Sequence, residues 1–198
     1  HKIDQNKTLV LGAIYSPKTK VTGNLKKWEQ RVSGSTSIES YDYYTTKDSV
    51  FEMPETIGLG ISFSKKNKYT IGADIQYQGW GDAKFFNKKD SLSNSLKINL
   101  GGEFIPDATS NNGLKRIRYR AGAYYSDSYV NVKGNGYKEY GVTLGFGFPV
   151  YDRRSFINLS FDYTAIRPEA SWMVDEQYLK LTVSYTFNEL WFFKRKIQ

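Results

Sequence analysis

Few residues in this 198-residue chain could carry out chemistry. The chain has one histidine, His1, and no cysteine. A Ser-His-Asp triad would therefore have its base at the first residue, and a zinc site would lack its usual ligands. No two carboxylates stand out as a pair for glycoside hydrolysis. We therefore predict that the chain is not an enzyme and needs no metal or other cofactor.

The notable polar residues lie inside segments that alternate between apolar and polar positions. Such alternation is typical of a β-strand with one apolar face, because successive side chains point to opposite sides. A carboxylate and an arginine in one enclosed space must pair or stay hydrated. We therefore expect Arg118 or Arg120 to pair with Asp74 or Glu103. The candidates to line the interior of the fold and to bind a ligand there are all on the polar face: Asp74, Gln76, Glu103, Arg118, Arg120 and Asp162.

The clearest alternation runs from Met53 to Gly81 and predicts two strands joined by a lysine-rich turn at 65–68. The spacing of three and four residues that a helix requires is absent there. Further strands are predicted to begin near Leu9, Leu96, Ile117, Tyr140, Phe156 and Leu179, with a weaker strand over 21–32. Segment 33–52 is predicted to be a long polar loop. We count about nine strands, all joined by hairpin-like connections.

The connections fall into two alternating sets. Shorter ones are expected at 65–68, 106–113 and 149–154, and longer ones at 81–94, 127–137 and 167–177. Short turns at one end and long loops at the other are typical of outer-membrane β-barrels. A transmembrane strand needs only about 9–11 residues, of which alternate ones face lipid. A mean hydropathy of −0.56 is therefore compatible with a membrane barrel.

Aromatic residues support this interpretation: the chain has 16 Tyr, 12 Phe and 4 Trp. Many lie near predicted strand ends, where the aromatic girdles of a membrane barrel occur. The girdle candidates are Tyr77, Trp80, Tyr125, Tyr163 and Tyr185. The predicted fold is an all-β, antiparallel, up-and-down transmembrane β-barrel. A soluble two-layer sheet or a lipocalin-like binder with its apolar face turned inward remains an alternative.

The net charge of +8 could indicate nucleic-acid binding, but the basic residues lie mostly in turns and loops. The sequence carries no RNP-like motif, zinc-finger spacing or basic recognition helix, so we predict no nucleic-acid partner. Single-chain bacterial barrels have an even number of strands with both termini in the periplasm. Because nine is odd, we expect 1–198 to be the C-terminal part of one longer barrel domain. That barrel is predicted to lie in the bacterial outer membrane with its C-terminus periplasmic.

Several short motifs, taken in order, resemble the FadL family of outer-membrane transport proteins. The segment 53–60 (MPETIGLG) is followed by 69–74 (YTIGAD) and by Trp80, and then by 118–125 (RYRAGAYY). The same order continues with Gly145-Phe146-Gly147 and Phe161-Asp162-Tyr163. The ending 191–196 is similar to the ending of family members from Bacteroidetes. The resemblance covers 54–187 and implies a fourteen-stranded barrel with an N-terminal hatch, of which this chain would supply about nine strands.

The resemblance implies a channel or transporter for hydrophobic molecules such as fatty acids, which works by binding and passage. The alternative is a barrel that serves as an interaction or secretion-system partner through the loops 33–52, 81–94 and 167–177. The expected partners are outer-membrane lipid and lipopolysaccharide, a hydrophobic small-molecule ligand, and a protein at the extracellular loops. Lys88, Lys89 and Arg167 are candidates for contacting lipopolysaccharide phosphates.

Overall fold

The computed structural model describes residues 2–22, 25–33, 36–44, 49–84, 92–150 and 155–187, with side chains at 5–22, 51–84, 92–150 and 155–187. Nearly all of the secondary structure is β. The strands are β1 (Lys2–Asp4), β2 (Lys7–Ser16), β3 (Thr19–Thr22), β4 (Leu25–Ser33), β5 (Thr36–Tyr44), β6 (Ser49–Met53), β7 (Thr56–Lys65), β8 (Tyr69–Gln78), β9 (Ser95–Phe104), β10 (Arg118–Asp127), β11 (Tyr137–Pro149), β12 (Phe156–Pro168) and β13 (Glu176–Thr186). Within the described part, no helix has the length and apolar character needed to cross a membrane.

Nine strands form one antiparallel sheet in the order β1-β2-β7-β8-β9-β10-β11-β12-β13. Strand β1 has only three residues, so eight strands are of full length. The Met53–Gly81 hairpin supplies the third and fourth strands of this order, as β7 and β8 with Gly60 opposite Asp74. The predicted antiparallel up-and-down arrangement is confirmed. Closure into a barrel is not observed, since no pairing in the described ranges joins β13 to β1 or β2.

The region between β2 and β7 differs from the prediction. Strand β3 pairs with β6 and β4 with β5, which extends the β2–β7 hairpin as a two-stranded ribbon. The prediction of a polar loop over 33–52 was wrong, because β5 and β6 lie there. These strands form by backbone pairing within the ribbon and do not need an apolar face. The polar composition of 33–52 therefore gave no sign of them. The weak strand predicted over 21–32 corresponds to parts of β3 and β4, outside the nine-stranded sheet.

The two faces of the sheet differ in chemistry and in exposure. Register aligns the apolar positions of neighbouring strands: Ala73 lies opposite Leu100, Leu100 opposite Ala123 and Ala123 opposite Val142. The resulting apolar face carries large, exposed side chains from β2 to β13, such as Leu11, Leu59, Leu100, Leu144 and Leu181. On the opposite, polar face, Gly58, Gly141, Gly145 and Gly147 are buried. The large apolar side chains therefore point away from the protein interior.

The small number of buried hydrophobic residues agrees with large apolar side chains that point outward. The buried hydrophobic residues in the described part are Ala83, Ile117 and Ala165. The accessible surface is 15151 Å², whereas a compact soluble protein of 22.8 kDa exposes about 9,600 Å². Apolar burial is the main favourable term in folding in water. A sheet that leaves its apolar face uncovered therefore needs another apolar medium or partner to cover it.

The connections lie at two ends of the sheet. The loop end carries the described parts of 17–55 and 79–94 together with 128–136 and 169–175, and the turn end carries 5–6, 66–68, 105–117 and the described ends of the connection between β11 and β12. The short turn predicted at 106–113 is longer than expected, because a 3-10 turn at Gly113–Arg116 extends it. Loop length is therefore sorted by end less cleanly than predicted.

Several predictions concern residues outside the described ranges. Lys88, Lys89, most of the turn at 149–154 and the aromatic-basic ending 191–196 lie there. The odd strand count, on which the fragment prediction relies, depends on whether the short β1 is counted. The prediction that 1–198 is the C-terminal part of a longer barrel therefore stays a prediction.

Candidate functional site

Glu103 is the centre of a charged cluster on the polar face. Its Oε2 accepts a hydrogen bond of 2.8 Å from Arg120 Nε, and its Oε1 lies 3.8 Å from Arg118 Nη1. Arg120 also donates from Nη1 to Asn158 Oδ1 at 2.9 Å, and Arg118 lies 4.1 Å from the Phe156 ring centre. The predicted ion pair of an arginine with Glu103 is confirmed. The cluster ties β9, β10 and β12 together across the polar face.

The other predicted polar-face residues do not join that cluster. Asp74 accepts a hydrogen bond of 2.6 Å from Asn99 Nδ2, so its predicted pairing with an arginine is not observed. Asp162 lies opposite Lys180 in the register of β12 and β13 and is 3.4 Å from Ser160 Oγ. Gln76 lies opposite Lys97, on the next strand. All six candidates share the polar face, but only Glu103, Arg118 and Arg120 come together.

Tyr124 crosses the polar face over a glycine. Its hydroxyl donates to Glu139 Oε1 at 2.6 Å and lies 3.0 Å from Thr164 Oγ1. A Cβ at Gly141 would lie 2.1 Å from Tyr124 Cε1, so a glycine is required beneath the ring. Glycines at 145 and 147 make similar room for the side chains of Arg120 and Arg118. Small residues on β11 therefore let long polar side chains lie flat on this face.

The apolar face has aromatic rows near both ends. Tyr125 and Tyr140 face each other in register with ring centres 6.2 Å apart, and Tyr77 is exposed towards the loop end, whereas Tyr163 lies near the middle of β12, opposite Val142. Towards the turn end, Tyr69 lies opposite Phe104, Phe104 opposite Tyr119 and Tyr119 opposite Phe146. Tyr185 and Phe187 also lie there, with ring centres 6.1 Å apart. From Tyr69 to Tyr77 is roughly 26 Å along β8, before any strand tilt.

Charged residues border this apolar band. On the same side of the sheet, by strand parity, Lys65 ends β7 at the turn end, while Asp127 and Lys138 face each other at the loop end. In the strands between these limits, the apolar face carries no charged residue. The band therefore has the composition expected of a surface that meets lipid.

Trp80 is an exception among the girdle candidates. It begins the 3-10 turn Trp80–Asp82, and its ring stacks on Tyr129 with centres 4.6 Å apart. Its Nε1 donates to Gln78 Oε1 at 2.8 Å, and Phe51 lies 6.0 Å away. Trp80 therefore packs between loop-end connections instead of extending an outward girdle. A tryptophan at a strand end predicts both arrangements equally well.

Glu52 braces the loop end. Its side chain is 4% exposed and pairs with Lys18 Nζ at 2.8 Å, and its Oε2 accepts the backbone N–H of Lys84 at 3.0 Å. The Lys18 interaction, together with that N–H, holds the pKa of Glu52 below its ordinary value of 4.5. This carboxylate links the base of the ribbon to the connection that follows β8. Sequence analysis missed Glu52 because it lay in the predicted polar loop.

The β10–β11 connection contacts a neighbour on each side. Tyr129 O accepts the N–H of Ser93 at 2.9 Å, and Asn131 Nδ2 donates to Ser93 Oγ at 2.9 Å. On the other side, Gly136 N–H donates to Glu169 Oε2 at 3.0 Å, and Glu169 Oε1 lies 3.5 Å from Lys138 Nζ. The Gly136 N–H and Lys138 lower the pKa of Glu169. The loop-end connections thus form a continuous, cross-braced surface.

Comparison with known proteins decides the family. A family model described as BamG matches residues 1–198. The chain belongs to the BamG family. No curated protein and no solved structure matches the chain significantly. Membership in the BamG family points to the bacterial outer-membrane system, in agreement with the predicted location.

The BamG match overturns the resemblance to the FadL family. The FadL-like motifs are short strand segments of glycine, aromatic and alternating apolar residues. Many strands with one lipid-facing side share such patterns, because they meet the same physical requirements. The predicted transport of hydrophobic molecules was wrong, and the fourteen-stranded barrel with a hatch, which only that resemblance implied, loses its basis. Arg167 was proposed from the sequence to contact lipopolysaccharide phosphates. In the structure its side chain forms an ion pair with Asp175.

Proposed function

We propose that this chain is a membrane-embedded subunit of the Bam complex and takes part in the assembly of outer-membrane proteins. Family membership over 1–198 is the observation that carries the proposal. The chain acts by binding and positioning other proteins and catalyses no reaction.

The two faces of the sheet support a place in the membrane. The apolar band meets acyl chains, and the aromatic rows and charged borders lie at its two edges. A lipid environment accounts for large exposed side chains such as Leu11, Leu144 and Leu181, which water would not favour. The polar face with Glu103, Arg118 and Arg120 then lines the inside of a curved or closed sheet. We place the turn end, where β13 ends, on the periplasmic side.

The proposed role requires a protein partner, and the structure offers its loop end. The ribbon β3–β6 and the braced connections extend beyond the strands of the sheet. Segments on a rigid scaffold often carry binding. The partner in this proposal is the assembly machinery, in place of the secretion system that the sequence suggested as an alternative.

Affinity purification tests the proposal. The full-length protein, tagged and extracted from outer membranes in mild detergent, is expected to bring down the Bam complex in stoichiometric amounts. An abundant, equally tagged outer-membrane barrel of another family serves as the control. Depletion of the protein should lower the amounts of several unrelated outer-membrane barrels and leave periplasmic proteins unchanged. Purification without the Bam complex, or depletion without loss of barrels, would contradict the proposal.

A further inference from the structure

The β10–β11 connection and its neighbour after β12 together carry a cluster of exposed apolar side chains. We call this cluster the loop patch, and it consists of Tyr129, Val130, Val132 and Trp172. Their exposed fractions lie between 36% and 57%. Lys133 joins the two connections, since its Nζ lies 5.6 Å from the centre of the Trp172 ring. The loop patch therefore spans two neighbouring connections that meet at Lys133 and Trp172.

Contacts with neighbouring segments hold the loop patch in place. Trp80 stacks on Tyr129, and Val130 forms an isolated bridge with Leu92. Val132 and Asn135 close a tight turn in which Lys133 and Gly134 have φ angles of 53° and 84°. Gly136 and Glu169 exchange two hydrogen bonds, each of 3.0 Å. A surface that is already ordered loses little conformational entropy when a partner binds.

Lipid does not account for the exposure of the loop patch. Its residues follow the ends of β10 and β12, beyond Asp127 and Lys138, which border the apolar band. Rigid apolar side chains in water, with tryptophan and tyrosine among them, are typical of protein interfaces. The loop patch therefore fits a protein surface better than it fits an acyl chain.

Charge defines the partner further. The nearby carboxylates are already engaged, Glu169 with Lys138 and Asp175 with Arg167. Lys133 forms no ion pair with any carboxylate in the described part of the chain, so its charge remains beside the Trp172 ring. A lysine next to an apolar patch is complementary to a carboxylate at the rim of an apolar protein surface.

We propose that the loop patch is the docking surface for a Bam subunit whose apolar contact is flanked by a carboxylate facing Lys133. This inference rests on the proposed function and adds the site of contact. The apolar centre provides the binding free energy, and Lys133 fixes the orientation of the partner and speeds association.

Photo-cross-linking in intact outer membranes tests the docking surface. A photoreactive phenylalanine analogue replaces Trp172 in the full-length protein, and the control carries it at Leu114, which is 70% exposed at the turn end. Position 172 is expected to cross-link to a Bam subunit that also co-purifies with the unmodified protein, and position 114 is expected not to cross-link to that subunit. Cross-links from 172 only to lipopolysaccharide, or none to protein, would overturn the inference.

Substitutions give a second readout. Trp172→Glu and Lys133→Glu are each expected to lower recovery of that subunit about tenfold or more, as for loss of an interface hot spot. Leu114→Glu should leave recovery unchanged. All three variants should remain in the outer-membrane fraction in normal amounts. If the Trp172 and Lys133 variants retain full recovery of the Bam complex, the inference fails while the proposed function stands; if the unmodified protein recovers no Bam complex, the proposed function fails.

Discussion

Glu52 shows how one residue can organise a whole end of the molecule. Three chain segments meet at its carboxylate: β6 supplies the residue, Lys18 lies between β2 and β3, and Lys84 follows β8. A charge removed from water needs several partners to balance its lost hydration. Here an ammonium group and a backbone N–H provide them, and the resulting contacts hold the ribbon against the sheet.

Acid should release this brace. The folded-state pKa of Glu52 is lowered, so its stabilisation is full above the ordinary value of 4.5 and is lost as pH falls through the lowered value. After correction for the pH dependence of intrinsic exchange, the protection of segment 79–84 against hydrogen exchange should therefore fall on acidification in the unmodified protein, until it matches the lower protection of Glu52→Gln. Glu55→Gln, an exposed neighbour, is the control and should behave like the unmodified protein. An identical acid profile in the unmodified protein and Glu52→Gln would contradict the role of this carboxylate.

On the polar face, Glu103 has a role comparable to that of Glu52, because its carboxylate pairs with Arg118 and Arg120. Glu103→Ala leaves Arg118 and Arg120 without their carboxylate, so we expect the free energy of unfolding to fall by about 1.5–3 kcal/mol, as for loss of a hydrogen bond to a charged group. Asp74→Asn should cost less, because an asparagine oxygen can still accept from Asn99. Denaturant unfolding in detergent micelles measures both variants. Equal losses for the two would show that the Glu103 cluster has no special weight.

At the scale of elements, the strands of the sheet could be predicted because each carries a strict two-residue alternation. Strands β7 and β8 show it most clearly, and their register matches the proposed hairpin. Strands β4 and β5 lack that pattern because their pairing gives a ribbon rather than a wall with one apolar side. The contacts of Glu52 and Tyr129 join residues distant in sequence, so no local pattern could reveal them.

Strand β11 depends on small residues that admit long neighbours. Gly141→Ala would place a Cβ 2.1 Å from Tyr124 Cε1, which forces the ring away from Glu139 and Thr164. We expect a loss of about 1–3 kcal/mol in stability, as for overpacking. Gly12→Ala is the matched control, since nothing lies within 4 Å of its added Cβ. Thermal unfolding of the two variants separates steric conflict from the general effect of replacing a strand glycine; similar midpoints would contradict the tight fit.

At the scale of the whole molecule, the uncovered apolar face should decide where the protein resides. Ile61 lies on that face at the centre of β7 and is 50% exposed, while Ser62 lies on the polar face. Ile61→Arg should cost about 2–4 kcal/mol near the bilayer midplane and reduce the amount of protein in the outer membrane. Ser62→Arg should have a much smaller effect. Quantitative immunoblots of membrane fractions compare them, and equal losses would argue against a lipid-facing side.

Cysteine labelling tests whether the apolar face meets lipid and the polar face does not. The chain contains no cysteine, so single cysteines can replace 59–64 one at a time in the full-length protein. Each variant is treated in isolated outer membranes with a water-soluble maleimide and, separately, with a lipid-soluble one. We expect odd positions to react with the lipid-soluble reagent and even positions to react with the water-soluble one. Equal reaction of odd positions with the water-soluble reagent would contradict it.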